Sequence, residues 1–290
     1  MKIVAVIATF NRCQLLERTI NALLNQTLKV DDIVVVNNAS TDGTSHLLQS
    51  YEQIAKNLHI ISLTENIGGA GAFHVGMEYG LKLQSDYIFL QDDDGFLDLH
   101  CLEQLTTSME ELDAVTPLIL DEMNTDKLSF DINGISDAKY FLDEKILPGV
   151  LKPFNGLLIK TEIVRLIGLP ISKYFIWGDE TEYRLRMDLH DVRYGTNVSA
   201  HMFHPKNQLI KTTLFGITFI VPNSDLRTFC FYRNYLHIYK SYKKFSAKKL
   251  FLKYLLFNIL TLNQKNLVLL IKAYLDMKRN NFSRHADFIK

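Results

Sequence analysis

Along the first hundred residues the apolar positions switch repeatedly between two periods. Ile3–Thr9 is an unbroken apolar run, and Arg12–Asn25 then carries Leu15, Leu16, Ile20, Leu23 and Leu24 at helical spacing. Asp32–Asn37 and His59–Leu63 read as further buried strands. Between them a helix is predicted over Gly43–Ala55, with Asp42 as its N-cap. A glycine-rich turn, Asn66–Gly71, leads into a helix over Ala72–Leu83, and Asp86–Leu90 is a fourth strand that stops at Asp92-Asp93-Asp94. Continuous apolar strands alternating with helices predict an α/β chain of parallel βαβ units with both sheet faces covered.

The middle of the chain is less regular. Ala114–Leu120, Gly156–Lys160 and Val192–Val198 read as strands, and Thr161–Ile167 and Asp179–Leu189 as helices. Beyond Leu226 the period is helical, and three helices are predicted, over Leu226–Phe245, Ala247–Leu262 and Gln264–Lys278.

Parallel sheets bind ligands outside the carboxyl ends of their strands. Four clusters fall at such ends: Thr9-Phe10-Asn11-Arg12, Asn37–Gly43, Glu65–Gly71 and Asp92-Asp93-Asp94. Their convergence on one sheet edge is the strongest functional signal in the sequence.

Composition narrows the classes. With 290 residues, 47% apolar and 22% charged, the chain is an ordinary globular protein of one or two domains. Three cysteines without CxxC spacing argue against a disulfide scaffold or a cysteine-rich zinc site. The apolar start is too short for a signal peptide, and no segment reads as membrane-spanning. A reducing cytoplasm is the expected compartment. The net charge of zero hides an asymmetry: Lys240–Lys290 holds twelve Lys/Arg residues and two acids, Asp276 and Asp287. The basic region interleaves Phe245, Leu250, Phe251, Leu255, Leu256 and Phe257 with Lys243, Lys244, Lys248, Lys249 and Lys253. That pattern fits an anionic membrane surface, or an apolar face packed on the rest of the protein beneath a solvated basic one.

The chemistry-bearing residues follow from these placements. On extended backbone Asp92 and Asp94 face one way and Asp93 the other. Two hard carboxylates on one side suit Mg²⁺ or Mn²⁺ beside phosphate oxygens. His201, and less readily His204, is a candidate to complete that shell. In Trp177–Tyr183, three carboxylates adjoin an aromatic, and one of them is a candidate general base. Asn66–Gly71 is not GxGxxG, and no acid follows the second strand, so a dinucleotide dehydrogenase is disfavoured.

Taken in order, ATFNR, NNASTDGT, NIGGAGAF and QDDD resemble the nucleotide-sugar half of family 2 glycosyltransferases of the GT-A fold. NIGGAGAF, the full DDD and the Trp177–Tyr183 pattern are most similar to bacterial galactofuranosyltransferases, with rhamnosyltransferases of polysaccharide assembly next. The resemblance implies a Rossmann-like, mostly parallel sheet flanked by helices, with a C-terminal helical extension. It implies a catalytic domain over 1–225, with a nucleotide-sugar half of about 1–97 and an acceptor half of about 98–225, and a basic helical region over 226–290. It places Asp92, Asp94 and His201 on a Mn²⁺ or Mg²⁺ ion. Thr9, Asn11, Arg12, Asn38, Asp42, Gly68, Gly69 and Asp93 fall on the donor side, and Asn155, Gly156, Trp177 and Glu182 on the acceptor side. Of the acidic pair Asp179 and Glu180, it favours Glu180 as base.

The implied activity is inverting transfer from a UDP- or dTDP-linked sugar, best UDP-galactofuranose, to a glycan or lipid-linked glycan. The implied setting is polysaccharide synthesis such as O-antigen assembly, at the inner face of the cell membrane. A dTDP-rhamnose transferase is the alternative in kind. A nucleotidyltransferase also pairs aspartates on a metal, but Ala8–Leu15 lacks the glycine-rich basic loop those enzymes carry. A nucleic-acid-binding protein would show exposed cations with aromatics for stacking, and no nucleic acid partner is expected.

Overall fold

Each apolar run of the N-terminal third becomes a strand. β1 (Ile3–Thr9) is buried along its whole length. It is followed in strict alternation by α1 (Cys13–Leu24), β2 (Asp32–Asn37), α2 (Thr44–Ile54), β3 (Leu58–Ser62), α3 (Gly68–Lys82) and β4 (Tyr87–Asp92). The computed structural model that shows this describes residues 1–206, 211–242 and 246–289.

The next elements are β5 (Phe96–Leu97), α4 (Cys101–Thr107), β6 (Ala114–Asp121), β7 (Asn124–Ile132), β8 (Ile135–Asp137) and β9 (Ile146–Pro148). After them come β10 (Asn155–Lys160), α5 (Thr161–Ile167), α6 (Asp179–Leu189) and β11 (Tyr194–His204). The central sheet runs β3-β2-β1-β4-β10-β6-β11-β5. β1 is parallel to β2 and β4, β2 to β3, and β6 to β11. β10 runs antiparallel between β4 and β6. The order reverses between β1 and β4, a topological switch point, where open α/β sheets form their ligand crevice.

Both faces are covered. Ile3, Ala5 and Ile7 pack on Leu16 and Ile20 of α1, Leu48 of α2 and Leu102 of α4. Val4 and Val6 pack on Phe73 and Met77 of α3 and Val164 of α5. α3 begins at Gly68, four residues before the expected Ala72, because the Asn66 side chain accepts the Gly68 N–H at 2.8 Å. Its glycines let it lie close to the sheet: a Cβ on Gly76 would stand 2.4 Å from Val6 Cγ1.

Asp42 lies one residue before the N-cap of α2, which is Gly43, and its carboxylate accepts both Cys13 N and Thr44 N at 3.0 Å. It thus ties the first turns of α1 and α2 together rather than capping one helix. The last strand of the sheet is longer than predicted. β11 continues through His204, past a register shift between Asn197 and His201. The Asn197 side chain accepts Ser199 N and Ala200 N and carries the backbone over that bulge.

The chain divides into two compact units, Met1–Pro170 with Tyr183–Asn207, and Ile171–Glu182 with Gln208–Lys290. The sequence placed a single boundary at 225. The division differs because the second unit also takes in Ile171–Glu182 and the hairpin of β12 (Lys211–Leu214) and β13 (Ile217–Ile220). Its helices are α7 (Asp225–Tyr242), α8 (Ala247–Leu260) and α9 (Gln264–Arg279). Phe175, Phe219, Phe229, Phe231, Tyr254 and Leu270 are among its core residues. Lys243, Lys244 and Phe245, which the sequence assigned to the first C-terminal helix and its basic run, lie outside the described residues. Among the described residues no helix is long and apolar enough to cross a membrane.

Candidate functional site

The aspartate triplet sits at the switch point. β4 ends at Asp92, whose N–H donates to Phe154 O at 2.9 Å, and Asp93 and Asp94 form a turn. The expected alternation, with Asp93 pointing away from the other two, does not hold once the extended backbone ends. Arg12, just after β1, donates through Nη1 to Asp93 Oδ1 at 3.0 Å and also to Asp94. Phe10 N–H reaches Asp93 Oδ2 at 3.3 Å, and Thr19 Oγ1 donates to the Asp93 and Gly95 carbonyls. Burial pushes the Asp93 carboxyl up, against the pull of Arg12.

Asp94 turns its other oxygen to His204 Nε2 at 3.1 Å. Burial alone would raise the Asp94 carboxyl, but His204 and Arg12 outweigh it and hold it below the usual carboxylate range. His204 Nδ1 donates to Pro205 O at 2.7 Å and Nε2 donates to Asp94, so the ring carries a proton on both nitrogens, and the Asp94 carboxylate raises its pKa against the effect of burial. Gly95 makes the approach possible, since a Cβ there would stand 2.1 Å from Met202 Cε.

His201 is not brought to the aspartates. Three residues from His204 on one strand, it falls on the opposite face. There it lines a cavity of about 660 Å³ with Leu118, Lys127, Asp137 and Phe203. Among the described residues no three His, Cys, Asp or Glu side chains stand together as a metal-holding group. The chemistry of the donors nevertheless fits a divalent cation. The turn offers hard carboxylate oxygens, the donor type that suits Mg²⁺ or Mn²⁺, and the Arg12 guanidinium supplies the positive charge these carboxylates face.

The other donor-side candidates form one bonded rim. Asn11 Oδ1 accepts Thr41 N–H at 2.7 Å, and Asn11 N–H donates to Ser40 Oγ. Asn38 bridges to Asn66 Oδ1 and Ile67 N, each at 2.9 Å, which fixes the start of α3. Gly68 and Gly69 open that helix, and Gly69 has nothing within 4 Å of an added Cβ. Thr9 is buried at the end of β1. On the acceptor-side list, Asn155 is buried opposite Gln91 in β4, and Gly156, at φ +80°, packs on Pro117.

Trp177, Asp179, Glu180 and Glu182 belong to the second unit. The backbone that leads to the acids is strained, with positive φ at Phe175 (66°) and Trp177 (68°). Such strain persists only where neighbours over-determine it, and α7 does so. Asn234, fully buried, donates its amide toward the Tyr174, Ile176 and Trp177 carbonyls, and Arg233 adds a bond to Tyr174 O. Thr181 bonds Tyr235, and Tyr242 O–H donates to the buried Glu182 carboxylate. Neither Arg233 nor Asn234 carried a sequence signal beyond a polar position on a helix.

Asp179 is buried and Glu180 is half-buried. Burial pushes the Asp179 carboxyl up to about 6; backbone N–H donors from Asp179 and Glu180 oppose the shift and the Glu182 charge adds to it. A carboxyl whose folded value lies above its unfolded one binds extra protons in the native state, so its contribution to stability falls as pH rises from about 4 to about 6. Asp179→Asn is therefore expected to stabilise the protein at pH 8 by about 1–3 kcal/mol and to change little at pH 4. Urea unfolding at the two pH values checks this, and equal gains at both would show that ionisation is not the cause.

Residues 4–141 match the family described as Glycosyl transferase family 2. Galactofuranosyltransferase GlfT1 of Mycobacterium tuberculosis is 30% identical over 212 residues, 69% of this chain and 69% of its own. Among solved structures, the mannosyltransferase PcManGT of Pyrobaculum calidifontis, in complex with GDP-Man and Mn²⁺, superposes with a TM-score of 0.59 at 15% identity. That match covers 99% of this chain and 78% of the other. S. aureus TarS 1-349 in complex with UDP gives 0.53 at 16% identity; the match covers 70% of this chain and 60% of that one. These structures share the GT-A fold with the present chain.

Proposed function

The chain belongs to glycosyl transferase family 2, and from that premise we propose that it is an inverting, metal-dependent galactofuranosyltransferase. Its donor is UDP-galactofuranose, and its acceptor is a lipid-linked glycan of cell-surface polysaccharide synthesis. The similarity to GlfT1 supports the sugar. The observation that carries the reaction type is the turn at the switch point, where Asp93 and Asp94 meet Arg12 and His204.

Asp92 and Asp94 would hold Mn²⁺ or Mg²⁺ together with diphosphate oxygens, and His204 rather than His201 is the histidine beside them. When bound there, the ion neutralises the diphosphate leaving group. Arg12 adds a guanidinium suited to phosphate oxygens. Asn11, Asn38 and the start of α3 shape the rim beside the nucleotide, with Asp42 holding α1 and α2 in register behind it. Glu180 takes the proton from the acceptor hydroxyl as that oxygen attacks the anomeric carbon in one displacement. Asp179, whose oxygens accept backbone N–H groups, orients the first turn of α6. No protein nucleophile is required.

The test offers UDP-galactofuranose, UDP-galactose and dTDP-rhamnose in turn, with Mn²⁺ and with EDTA. Mn²⁺-dependent release of UDP from UDP-galactofuranose alone is expected. Turnover of dTDP-rhamnose instead would replace the donor, and full activity in EDTA would remove the metal from the mechanism.

A further inference from the structure

α8 and α9 expose the wrong residues for helices facing water. Each buries one row in the core of the second unit: Tyr254 and Phe257 from α8, and Leu269, Leu270, Ala273 and Met277 from α9. At 100° per residue, the opposite face of α8 carries Leu252, Leu256, Ile259 and Leu260. The opposite face of α9 carries Val268, Ile271 and Leu275. All seven are between 41% and 58% exposed. Single exposed leucines are ordinary, but aliphatic rows on the outer faces of two successive helices mark an interaction surface.

Charge identifies the partner. A cavity of about 550 Å³ beside these faces has Phe251, Leu252, Tyr274 and Met277 in its lining, together with Lys240, Lys248 and Lys278. The three lysines are exposed and come from the end of α7, the first turn of α8 and the last turn of α9. Between 211 and 289 the sequence has only three acids. Each is committed elsewhere: Asp225 to Lys265 at 2.8 Å, Asp276 to Arg284 at 2.5 Å, and Asp287 to Arg284 at 3.8 Å. Three cations thus surround an apolar pocket, and none of the three acids of 211–289 is the ion-pair partner of any of them. That combination matches an anionic phospholipid, with its phosphate among the lysines and its chains against the apolar lining.

We propose that the α8–α9 face is a monotopic docking surface for an anionic bilayer, and that the Lys240–Lys248–Lys278 pocket seats a phospholipid headgroup. The surface deepens the lipid-linked acceptor of the proposed function and rests on that reading for its biological setting. Its geometry is independent of the sugar chemistry. Basic helices with an aliphatic face lie in the interface plane by this division of labour.

The test is co-sedimentation of the full chain with phosphatidylcholine vesicles containing 30% phosphatidylglycerol, and with pure phosphatidylcholine vesicles. Binding is expected to the first and to be at least tenfold weaker to the second. At about fivefold per basic residue near an anionic surface, the triple variant Lys240→Gln, Lys248→Gln, Lys278→Gln loses about 100-fold. Leu256→Ser with Ile271→Ser, at exposed positions that spare the core, loses about tenfold or more. Glycerophosphate in solution should not release the protein if the bilayer is the partner, whereas release would reassign the pocket to a free phosphate ligand. Wild-type protein that ignores charged vesicles, or that instead dimerises through this face, would overturn the proposal. UDP release from UDP-galactofuranose without vesicles, measured on the same variants, separates this outcome from failure of the transferase reading. The docking variants should keep it.

Discussion

Asp94→Asn is expected to lower sugar transfer about 1,000-fold at saturating donor and Mn²⁺, and His204→Ala about 100-fold, while His201→Ala stays within about twofold. Asp94 is the residue on which the site's interactions converge, since its two oxygens face Arg12 and His204. Neutralising it removes a carboxylate that orients Arg12 and would hold the cation, the positive charges that balance the leaving group. Such contributions are typically several kcal/mol, and about 4 kcal/mol is about three decades of rate. His204 loses less because a carboxylate remains. His201 loses almost nothing because its ring lies across β11, in the cavity with Lys127 and Asp137. Steady-state rates over a Mn²⁺ titration decide the matter: the His204 defect should shrink with added metal and the Asp94 defect should not. Loss at His201 with full activity at His204 would restore the sequence-based histidine and discard the structural one.

That contrast shows what the sequence could and could not reveal. The strands β1, β2 and β4 were legible because both of their faces are buried, which leaves continuous apolar runs with few alternatives. The four polar clusters were legible as a group because a parallel sheet sends every carboxyl end to one edge. The choice between two histidines three residues apart was not. It depended on whether the strand ended at Val198 or ran on through His204. The device that carries it on is a bulge held by Asn197, a polar residue inside what otherwise reads as strand. The Asp93 orientation failed for the opposite reason, since extended geometry was assumed where the backbone had already turned.

Loops and side-chain braces were hidden more completely. No periodicity announces that Asn234 will collect three carbonyls from a loop nearly sixty residues earlier in the chain. The same holds for the division of the chain, in which Ile171–Glu182 joins the C-terminal helices. Both rest on tertiary hydrogen bonds rather than on local propensity. The basic region, in contrast, was half legible. Its charge was countable, but whether its leucines packed inward or faced out required the helix faces to be seen.

Glu180→Gln is the second large effect, an expected loss of about 1,000-fold in the rate of transfer with the donor KM unchanged. General-base catalysis contributes typically 100- to 10,000-fold, and the isosteric amide removes basicity while keeping size. Donor binding, assigned to the first unit, should not register the change. Asp179→Asn should behave differently. Its carboxyl is buried and accepts backbone N–H groups that an amide oxygen can also accept, so its loss of rate is expected to be about tenfold and its gain in stability to grow with pH. The wild-type pH profile of kcat/KM discriminates further. An acidic limb near 6 that disappears in Asp179→Asn would show that the ionised Asp179 matters to the reaction. A limb that persists there and vanishes in Glu180→Gln assigns it to the base. If Asp179→Asn instead abolishes transfer and Glu180→Gln retains most of it, the roles within the pair are reversed and the buried carboxyl is the proton acceptor. The pair therefore has a decisive experiment whichever member acts, because burial has set the two carboxyls in different electrostatic surroundings on adjacent residues.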